Sequence, residues 1–440
     1  MRCSIITLGC RVNQYESDAM AEQLAAAGHV ITDDPSEADV CIVNTCTVTN
    51  IADRKSRQML SKAHRLGPNA KLIVTGCWSQ RNPGAASGIE GVDAVLGNTE
   101  KNRIVEIVEG LFRDEAAERE DAVSYVRDIM HETGFEELSA VNEGRTRAYL
   151  KIQDGCNMFC TYCAIPFARG ALRSRSLASV REEAEKLNAR GYPEIVLTGI
   201  HLMSYGVDTA DGTNIVDAVK CFDGLDNIKR IRFGSLEPHL MTDEIISGLA
   251  KDKRICRQFH LSLQSGSDTV LDRMRRGYTA EDYLKLCEKL RSAFGPQTAI
   301  TTDIIAGFPG ETLEEHEETK AFMRKVRLAK VHIFPYSRRS GTKADKMDGQ
   351  LTNAEKSRRA LELIAVGAEL ERDHLAAYIG KEAEVLVEKN EDGWSVGHTD
   401  TYVRVKIEGN FAPNSMVRVR INEMKEDNDR ELSLLSHSGG

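Results

Sequence analysis

The 440-residue sequence lacks a long hydrophobic run, an excess of positive charge and a segment typical of secretion. No apolar stretch approaches the roughly 18–20 residues of a membrane-spanning helix, so no such helix and no membrane partner are expected. With 58 basic and 67 acidic residues the formal net charge is −9, and any nucleic-acid site must therefore be local. A hydrophobic fraction of 41% and a charged fraction of 28% indicate a globular protein, whose length allows about two to four domains.

Cysteine is frequent, with 11 residues. The odd number and the length of the chain exclude a small secreted disulfide framework. The start of the chain, MRCSIITLGC, is weakly similar to a lipoprotein cleavage site, but its apolar stretch is too short for a signal peptide. We therefore expect a reducing, cytoplasmic location, where clustered cysteines usually serve metal or redox chemistry.

Residues 1–112 alternate apolar runs with helical patterns, which predicts a small α/β domain with a parallel sheet. The first helical pattern ends at Gly28, a favourable residue for a helix end. The strands are expected at 3–9, 38–44, 71–76 and 92–97, and the helices at 13–27, 52–65 and up to Leu111.

Three cysteines of this domain occupy equivalent positions. Cys10, Cys46 and Cys77 each follow the carboxyl end of a predicted strand. These ends share one edge of an open parallel sheet, the edge where ligands bind, so three thiolates from distant parts of the sequence can converge. We predict a shared metal site; the alternative is three buried structural cysteines, since free cysteine is often part of a core. Cys3 and Cys41 lie inside strands and are predicted to be core residues.

The remainder of the chain divides into three segments. Residues 113–140 are acidic and weakly patterned, which indicates a linker or covering segment. Residues 141–370 repeat a strand–helix unit six times, which predicts a partial (β/α)6 barrel with its chemistry at the carboxyl ends of the strands. Residues 371–440 are rich in short β-runs and predict a small all-β barrel. The strands of the central barrel are expected at 148–155, 194–199, 230–235, 259–265, 298–306 and 330–337.

The motif CNMFCTYC carries the strongest chemical signal. It places Cys156, Cys160 and Cys163 in a CxxxCxxC pattern directly after a predicted strand. No fourth ligand follows at the spacing of a zinc finger, so zinc and a purely structural role are the weaker alternatives. Three thiolates on one loop suit a 4Fe-4S cluster with one iron left open for a small ligand. The aromatic Tyr162 precedes the last cysteine.

This motif, together with six strand–helix units, resembles the radical S-adenosylmethionine (SAM) enzymes. The resemblance implies that the amino and carboxylate groups of SAM bind the open iron. It also implies that one electron cleaves SAM to methionine and a 5′-deoxyadenosyl radical. The cofactors then carry the chemistry and the protein orients them, so no catalytic acid–base residues are expected.

Further candidate cofactor contacts lie at or near the ends of the predicted barrel strands. A glycine at position 199 lets the backbone approach bound SAM. In HLSLQSGS, polar residues alternate with leucines, which predicts a polar strand face inside the barrel; a partly exposed strand is the alternative. For the two acidic candidates a structural role is equally open. The candidates are Tyr162, Gly199, Glu237, Ser262, Gln264 and Asp303.

Over nearly the whole chain, the domain arrangement resembles the methylthiotransferase family. In that family the first domain holds a second 4Fe-4S cluster, and its ligands match LGC at Cys10, NTC at Cys46 and GC at Cys77. The last domain resembles the TRAM module, an RNA-binding barrel. Residues 371–440 have nine basic and 14 acidic residues, a net charge of −5 that departs from what an RNA binder needs. The matching stretch GHTDTYVRV contains Gly397, Thr399, Tyr402 and Val405.

The family resemblance implies transfer of a methylthio group to an unactivated carbon. It implies two 4Fe-4S clusters, SAM as methyl donor and radical source, and an external flavodoxin or ferredoxin as electron donor. Members act on threonylcarbamoyladenosine or isopentenyladenosine in tRNA, or on an aspartate of a ribosomal protein. The segments TLGCRVNQYES and QDGCNMFCTYCAIPFARG are most similar to the threonylcarbamoyladenosine branch, which modifies C2 of adenosine 37. A non-catalytic iron–sulfur or RNA-binding protein is the remote alternative, and no obligate protein partner is evident.

Basic residues near the predicted cluster loops offer a path for tRNA, because phosphate binding needs local positive charge. One group lies on the predicted helix after Cys46, and another follows the CxxxCxxC motif. For each group alone, a solvated helix face is the simpler interpretation. The predicted RNA contacts are Arg54, Lys55, Arg57, Arg169, Arg173, Arg175, Tyr402 and Arg404.

Overall fold

The structure is a computed structural model that describes residues 1–113, 121–140, 145–426 and 432–437. It contains an N-terminal parallel sheet, a central set of parallel strands and a C-terminal sheet that is mostly antiparallel. The predicted α/β class with a small all-β part at the end is therefore confirmed. None of the described helices is long and apolar enough to cross a membrane.

The N-terminal part is a six-stranded parallel sheet flanked by helices. Its strands are β1 (Arg2–Thr7), β2 (Val30–Ile31), β3 (Val40–Thr45), β4 (Lys71–Gly76), β5 (Val92–Val95) and β6 (Val123–Ser124), and its helices are α1 (Arg11–Ala26), α2 (Asn50–Leu66), α3 (Cys77–Arg81), α4 (Pro83–Ser87) and α5 (Ile104–Gly110). The strand order is β2-β1-β3-β4-β5-β6. All four predicted strands form, and Cys3 and Cys41 are buried in them as expected. The edge strands β2 and β6 escape prediction because two residues give no recognisable pattern.

Part of the predicted linker is integrated into this sheet. Strand β6 pairs in parallel with β5, and Tyr125 and Val126 pack against the two faces of the sheet. Leu138 packs against Tyr15 of α1, whose hydroxyl donates to the Leu138 carbonyl at 2.6 Å. The described part of the segment therefore covers the N-terminal sheet, because its few apolar residues find partners there. Residues 114–120 of the predicted linker lie outside the described residues.

The central part alternates strands and helices. Its strands are β7 (Arg147–Lys151), β8 (Gln153–Asp154), β9 (Arg173–Ser174), β10 (Glu194–Thr198), β11 (Arg230–Phe233), β12 (Ser235–Leu236), β13 (Gln258–Leu261), β14 (Ala299–Ala306) and β15 (Lys330–Pro335). Its helices are α6 (Pro166–Arg169), α7 (Leu177–Ala189), α8 (Ile215–Lys220), α9 (Asp243–Leu249), α10 (Asp268–Met274), α11 (Ala280–Phe294), α12 (Leu313–Val326) and α13 (Asn353–Ala376).

These strands form a partial barrel in chain order. Strands β7, β10 and β11 pair in parallel, and β12 to β15 continue the parallel series. Because β11 and β12 are separated only by Gly234, they act as one strand, and the six predicted strands are present. Helices α11 and α12 begin with capping boxes, in which Thr279 pairs with Asp282 and Thr312 with Glu315, which fixes their first turns.

The C-terminal part is a curled six-stranded sheet around its own apolar core. Its strands are β16 (Glu382–Glu391), β17 (Trp394–Thr399), β18 (Arg404–Glu408), β19 (Met416–Arg420), β20 (Glu423–Glu426) and β21 (Leu432–Ser436), in the order β19-β16-β17-β18-β21-β20. Helix α13 connects this sheet to the barrel. The expected boundary between residues 370 and 371 lies inside α13, because this helix packs its first turns against the barrel and its last residues against the C-terminal sheet.

The C-terminal sheet docks on the amino-terminal ends of the barrel strands. Glu194, the first residue of β10, accepts hydrogen bonds from Arg147 at 2.6 Å and Arg232 at 2.8 Å. Arg230, the first residue of β11, donates to the carbonyl oxygen of His398 at 3.0 Å. The CxxxCxxC loop follows β8, at the opposite ends of the strands. The C-terminal sheet and this loop therefore occupy opposite ends of the barrel.

Candidate metal centres

Three cysteines meet at the carboxyl edge of the N-terminal sheet. Cys10 precedes α1, Cys46 follows β3 and Cys77 begins α3, and the strands before them are neighbours in the sheet. Burial raises the pKa of Cys46 to about 12, and the nearby thiols of Cys77 and Cys10 add to the effect. The pKa of Cys10 is also raised by the protein atoms around its thiol, with Cys77 contributing. The structure thus brings these residues together, and we name them the N-terminal triad.

Two glycines shape this triad. Gly9 and Gly76, each directly before a cysteine, both have a φ of +100°, which disfavours any residue with a side chain. A Cβ on Gly9 would lie 2.8 Å from the Cβ and 3.0 Å from the Sγ of Cys46. A Cβ on Gly76 would lie 2.5 Å from the carbonyl oxygen of Thr45. The glycine of each GC pair is therefore required by the turn that brings the cysteine loops into contact.

Side chains from both parts of the molecule contact this triad. The Nε of Arg169, on α6 of the barrel, donates to the Sγ of Cys77 at 3.2 Å, and the Nδ2 of Asn98 lies 3.7 Å from the same sulfur. Asn13 of α1 donates to the carbonyl oxygen of Thr45 at 2.9 Å and accepts from Arg169 at 2.6 Å. A barrel residue six positions after the CxxxCxxC motif therefore contacts the N-terminal triad.

A buried ion network extends from this contact. Glu16 of α1 pairs with Arg169, with Lys151 at 2.7 Å and with Lys101 at 3.2 Å. Asp154 pairs with Lys151 at 2.6 Å and with Arg169 at 3.3 Å. Burial opposes ionisation, but Lys151 and Arg169 nevertheless lower the pKa of Asp154 to about 2. Arg169, Lys101 and Lys151 likewise hold the pKa of Glu16 well below its ordinary value, and these ion pairs join the N-terminal sheet to the barrel.

The second group of cysteines lies on one loop. Cys156 and Cys160 are buried and Cys163 is partly buried. Burial raises the pKa of Cys156 to about 11 and that of Cys163 to about 12, and Cys160 adds to both shifts. Backbone N–H groups point at two of the sulfurs: that of Met158 at Cys156, and that of Ile165 at Cys163, both at 3.5 Å. We name these three cysteines the central triad.

Arg276, which follows α10, contacts the central triad. Its Nη1 lies 3.3 Å from the Sγ of Cys160, and its Nη2 donates to the carboxylate of Glu237 at 2.5 and 2.7 Å. The same nitrogen donates to the carbonyl oxygen of Ser262 at 2.7 Å, and Nη1 lies 3.4 Å from the hydroxyl of Tyr162. Three predicted cofactor contacts, Tyr162, Glu237 and Ser262, are thus gathered around one arginine.

The other predicted cofactor contacts have different neighbours. Gly199 lies against Gln153, because a Cβ there would come within 2.8 Å of its side-chain oxygen. Gln264 has a φ of +76°, and its backbone bridges to Asp303 and Ile305. The carboxylate of Asp303 lies 3.4 Å from the Nε2 of His260. None of these three residues forms a hydrogen bond or ion pair with Arg276, and their role in cofactor binding stays a prediction.

The donor chemistry of both triads fits iron–sulfur clusters, which prefer thiolate ligands supported by N–H···S contacts. Among the described residues, no three His, Cys, Asp or Glu side chains are arranged to hold a single metal ion. A four-iron cluster separates its sulfur ligands by more than a single ion does, so this finding is compatible with either triad.

One arginine lies within electrostatic range of both triads. Burial and Arg339 lower the pKa of Arg81, while Cys163 of the central triad and Cys77 of the N-terminal triad act in the opposite direction. Its Nη2 donates to the carbonyl oxygen of Ser340 at 2.7 Å. The contact of Arg169, six residues after Cys163, with the Sγ of Cys77 likewise places both triads where the N-terminal sheet meets the barrel.

The expected RNA contacts after the CxxxCxxC motif need correction. Arg169, Arg173 and Arg175 are at most 4% exposed. Arg169 and Arg173 belong to the network around Asp154, and Arg175 pairs with Glu183. A buried guanidinium that already neutralises carboxylates cannot reach a phosphate on the surface. Sequence alone cannot reveal this, because the covering elements come from distant positions.

Tyr402 is likewise an anchor of the C-terminal sheet. Its ring lies between Arg147, at 5.3 Å, and Arg232, at 4.7 Å, and stacks on His398 at 4.7 Å. The ring thus takes part in docking the C-terminal sheet on the barrel, but Tyr402 is still 39% exposed, and its RNA contact stays a prediction. Arg404 lies on β18, where its Nη1 is 3.4 Å from the hydroxyl of Ser433, and its RNA contact stays a prediction.

The basic group on α2 is exposed. Arg54, Lys55 and Arg57 all face solvent on this helix. The first residue of α2, Asn50, donates to the carbonyl oxygen of Arg338, after β15, at 2.7 Å, and its side-chain oxygen accepts from Arg339. This helix therefore starts at the contact between the two parts that carry the triads, with its cations free to approach a polyanion.

Several important residues carry no signal in the sequence. Glu16, Asn98 and Arg276 have no motif spacing that separates them from surface polar residues. Their importance follows from burial, since all three are at most 2% exposed. A buried polar residue is the informative case, because burial without partners is costly.

Comparisons with known proteins agree with this architecture. The radical SAM superfamily model matches residues 150–323, and the model described as uncharacterized protein family UPF0004 matches residues 2–97. The threonylcarbamoyladenosine tRNA methylthiotransferase MtaB of Bacillus subtilis is 41% identical over 410 residues, which cover 92% of this chain and 89% of that protein. This chain belongs to the methylthiotransferase family.

Other members of the family are also similar over most of the chain. MtaB of Thermotoga maritima is 37% identical, covering 96% of this chain and 95% of the relative. A tRNA-2-methylthio-N(6)-dimethylallyladenosine synthase of Acetivibrio thermocellus is 33% identical, covering 95% and 88%. The radical SAM domain and these relatives support an enzyme that uses an iron–sulfur cluster and SAM.

Among solved structures, the radical SAM methyltransferase TsrM of Kitasatospora setae, with cobalamin and a [4Fe-4S] cluster bound, is similar in fold. Its TM-score is 0.57 at 17% identity, covering 78% of this chain and 76% of that one. At this identity the similarity concerns the fold alone.

Proposed function

We propose that this methylthiotransferase inserts a methylthio group at C2 of N6-threonylcarbamoyladenosine 37 in tRNA. The observation that carries the proposal is the 41% identity to the Bacillus subtilis relative of that name over 92% of the chain. The approach of two cysteine triads to one common region supports it, because the reaction needs both a radical source and a sulfur donor.

Two 4Fe-4S clusters belong to this proposal. Cys156, Cys160 and Cys163 would hold one, and the N-terminal triad would hold the other. When bound, these clusters supply the electron that cleaves SAM and a position for the sulfur that is transferred. Glu237 and Arg276, buried beside Cys160, carry opposite charges that match the ammonium and carboxylate groups of SAM. In this arrangement the chain itself orients SAM and excludes water.

The remaining parts have supporting roles. We assign residues 1–112, 141–370 and 371–440 to three domains, with 113–140 between the first two. An external flavodoxin or ferredoxin supplies electrons in the cytoplasm, since each radical turnover consumes one. Arg54, Lys55 and Arg57 on the exposed face of α2 would bind tRNA phosphates near the contact of the first two domains.

The isopentenyladenosine of tRNA, also called dimethylallyladenosine, is the second candidate substrate. It is favoured by relatives of that name at 33–35% identity, which cover 90–96% of the chain. Modification of a ribosomal protein is the third candidate and has only the family resemblance behind it.

The test is mass spectrometry of nucleosides in total tRNA from a strain that lacks this gene. We expect loss of methylthio-threonylcarbamoyladenosine and accumulation of the form without the methylthio group, both restored by the gene. Loss of methylthio-dimethylallyladenosine instead would show that the substrate is dimethylallyladenosine and would leave the family assignment unchanged. An unchanged nucleoside profile would contradict tRNA as the substrate.

A further inference from the structure

Arg169 connects the two triads in a way that spacing does not reveal. It lies six residues after Cys163, on the short helix α6 that follows the loop of the central triad. Its guanidinium crosses to the N-terminal sheet, where Nε lies 3.2 Å from the Sγ of Cys77. The segment that carries one triad therefore also contacts a sulfur of the other.

The charge around Arg169 is unbalanced. Four cations of the network form ion pairs with only two carboxylates among the described residues, and all six side chains are at most 2% exposed. A third carboxylate, that of Glu136, lies nearby, but burial raises its pKa. The cations are Lys101, Lys151, Arg169 and Arg173, and the carboxylates are Glu16 and Asp154.

The central triad differs in this respect. Arg276 also lies near a sulfur, at 3.3 Å from Cys160, but the carboxylate of Glu237 neutralises it one to one. Excess buried positive charge is costly unless an anion is close. At the N-terminal triad, Arg169 directs its Nε at the Sγ of Cys77 at 3.2 Å, where a bound cluster would supply negative charge.

We propose that Arg169 is a positioning residue that compensates the negative charge of a cluster held by the N-terminal triad and raises its reduction potential. The inference rests on the two-cluster part of the proposed function. Reduction adds one electron from the external donor, with no bond formed or broken, and the guanidinium keeps its protons. A positive charge and an N–H···S contact both stabilise the more negative, reduced state.

The test is a redox titration followed by electron paramagnetic resonance. It uses the full chain with Cys156, Cys160 and Cys163 replaced by alanine, so that only the N-terminal cluster contributes to the signal. In this background we expect Arg169→Gln to shift the equilibrium about tenfold toward the oxidised state. For a one-electron couple this equals about 59 mV of lowered potential.

Two further variants sharpen the test. Asn98→Asp keeps an acceptor for Lys101, which donates to Asn98 at 2.7 Å, but places a negative charge 3.7 Å from the Cys77 sulfur. We expect Asn98→Asp to shift the equilibrium at least threefold toward the oxidised state. This variant keeps the test possible if Arg169→Gln does not fold. Arg230→Gln removes another buried arginine, at the opposite end of the barrel, and should leave the potential unchanged.

The outcomes separate the two proposals. Absence of any cluster signal in the alanine background, with the protein folded, would overturn the second cluster and with it this inference. A normal cluster signal whose potential does not change in Arg169→Gln would overturn the role of Arg169 and leave the proposed function intact. If only Asn98→Asp folds, an unchanged potential in that variant has the same meaning. A shift that Arg230→Gln reproduces would also overturn the inference.

Discussion

At the amino-terminal ends of the barrel strands, Arg230 and Arg232 donate to backbone carbonyl groups of the C-terminal sheet. At the carboxyl ends, Arg169 and Arg276 lie against cysteine sulfurs. All four are buried, and each also pairs with a carboxylate. The same type of residue thus holds two parts of the chain together at one end and surrounds the candidate chemistry at the other.

The neighbours of a buried arginine, and not the arginine itself, therefore decide whether it serves stability or chemistry. At the amino-terminal end, carbonyl oxygens and Glu194 satisfy the guanidinium groups within the protein. At the carboxyl end, part of the positive charge is directed at thiols that can bind a metal cluster. Substitutions at the amino-terminal ends of the barrel strands should therefore affect stability, and substitutions at the carboxyl ends should affect the reaction.

The largest effect is expected from Glu194→Gln. Arg147 and Arg232 lower the pKa of this buried carboxyl to about 2 against the opposing effect of burial, so its stabilising contribution is present above pH 4.5 and is lost as the pH falls toward 2. The variant should lower the free energy of unfolding by about 3 kcal/mol at pH 7, because buried cations lose their partner. Chemical denaturation measures this effect. Unchanged stability, or loss of SAM cleavage by the folded variant, would contradict the assignment of the amino-terminal end of the barrel to stability alone.

Arg276→Met should act on chemistry. Removing one charged donor from a buried site typically costs about 100-fold in rate, so we expect reductive SAM cleavage to fall by this factor. Formation of 5′-deoxyadenosine by the reconstituted enzyme measures it. Arg276→Lys keeps the charge beside Glu237 and should recover part of the rate. Full activity of the methionine variant would show that the arginine at this end is structural.

Replacement of Arg54, Lys55 and Arg57 by alanine should weaken tRNA binding. Loss of about three phosphate contacts lowers the slope of log affinity against log salt by about two to three and reduces the affinity at least about tenfold at low salt. Filter binding at several salt concentrations measures both. Arg418→Ala with Arg420→Ala, on the exposed edge strand β19, is the matched control. A larger effect of the control would move the RNA surface to the C-terminal sheet.

The last effect concerns stability in acid near the amino-terminal ends of the barrel strands, and it is not felt at neutral pH. Burial and Arg291 lower the pKa of His374 on α13 to about 4. The neutral form is therefore favoured in the folded state, and stability is lost as the pH falls from 6.5 to 4, a window above that of Glu194. His374→Phe should flatten this loss by about 2 kcal/mol. Thermal melting between pH 7 and 4 measures it, and an unchanged pH profile would contradict the assignment.

Much of the fold could be predicted from the sequence, because its signals are local. The six barrel strands are apolar runs between helical patterns, and CxxxCxxC is contained in one loop. The approach of Cys10, Cys46 and Cys77 could be predicted as well, since parallel strands place their carboxyl ends at one edge. The two-residue strands β2 and β6 could not, because their pairing depends on the rest of the sheet.

The surroundings of the site were beyond the sequence for a different reason. Arg173 and Arg175 read as surface cations until the N-terminal sheet and its covering segment bury them. The contacts of the Tyr402 ring with Arg147 and Arg232 are also hidden in the sequence, because these arginines lie more than 150 positions away. Such roles depend on long-range packing, which residue spacing does not encode.

The most direct test of the account is a triple alanine variant of Cys10, Cys46 and Cys77, reconstituted with iron and sulfide. We predict that bound iron falls from about eight to about four per chain. SAM cleavage should continue, while methylthiolation of tRNA stops. Unchanged iron content, or continued methylthiolation, would contradict a second cluster at the edge of the N-terminal sheet.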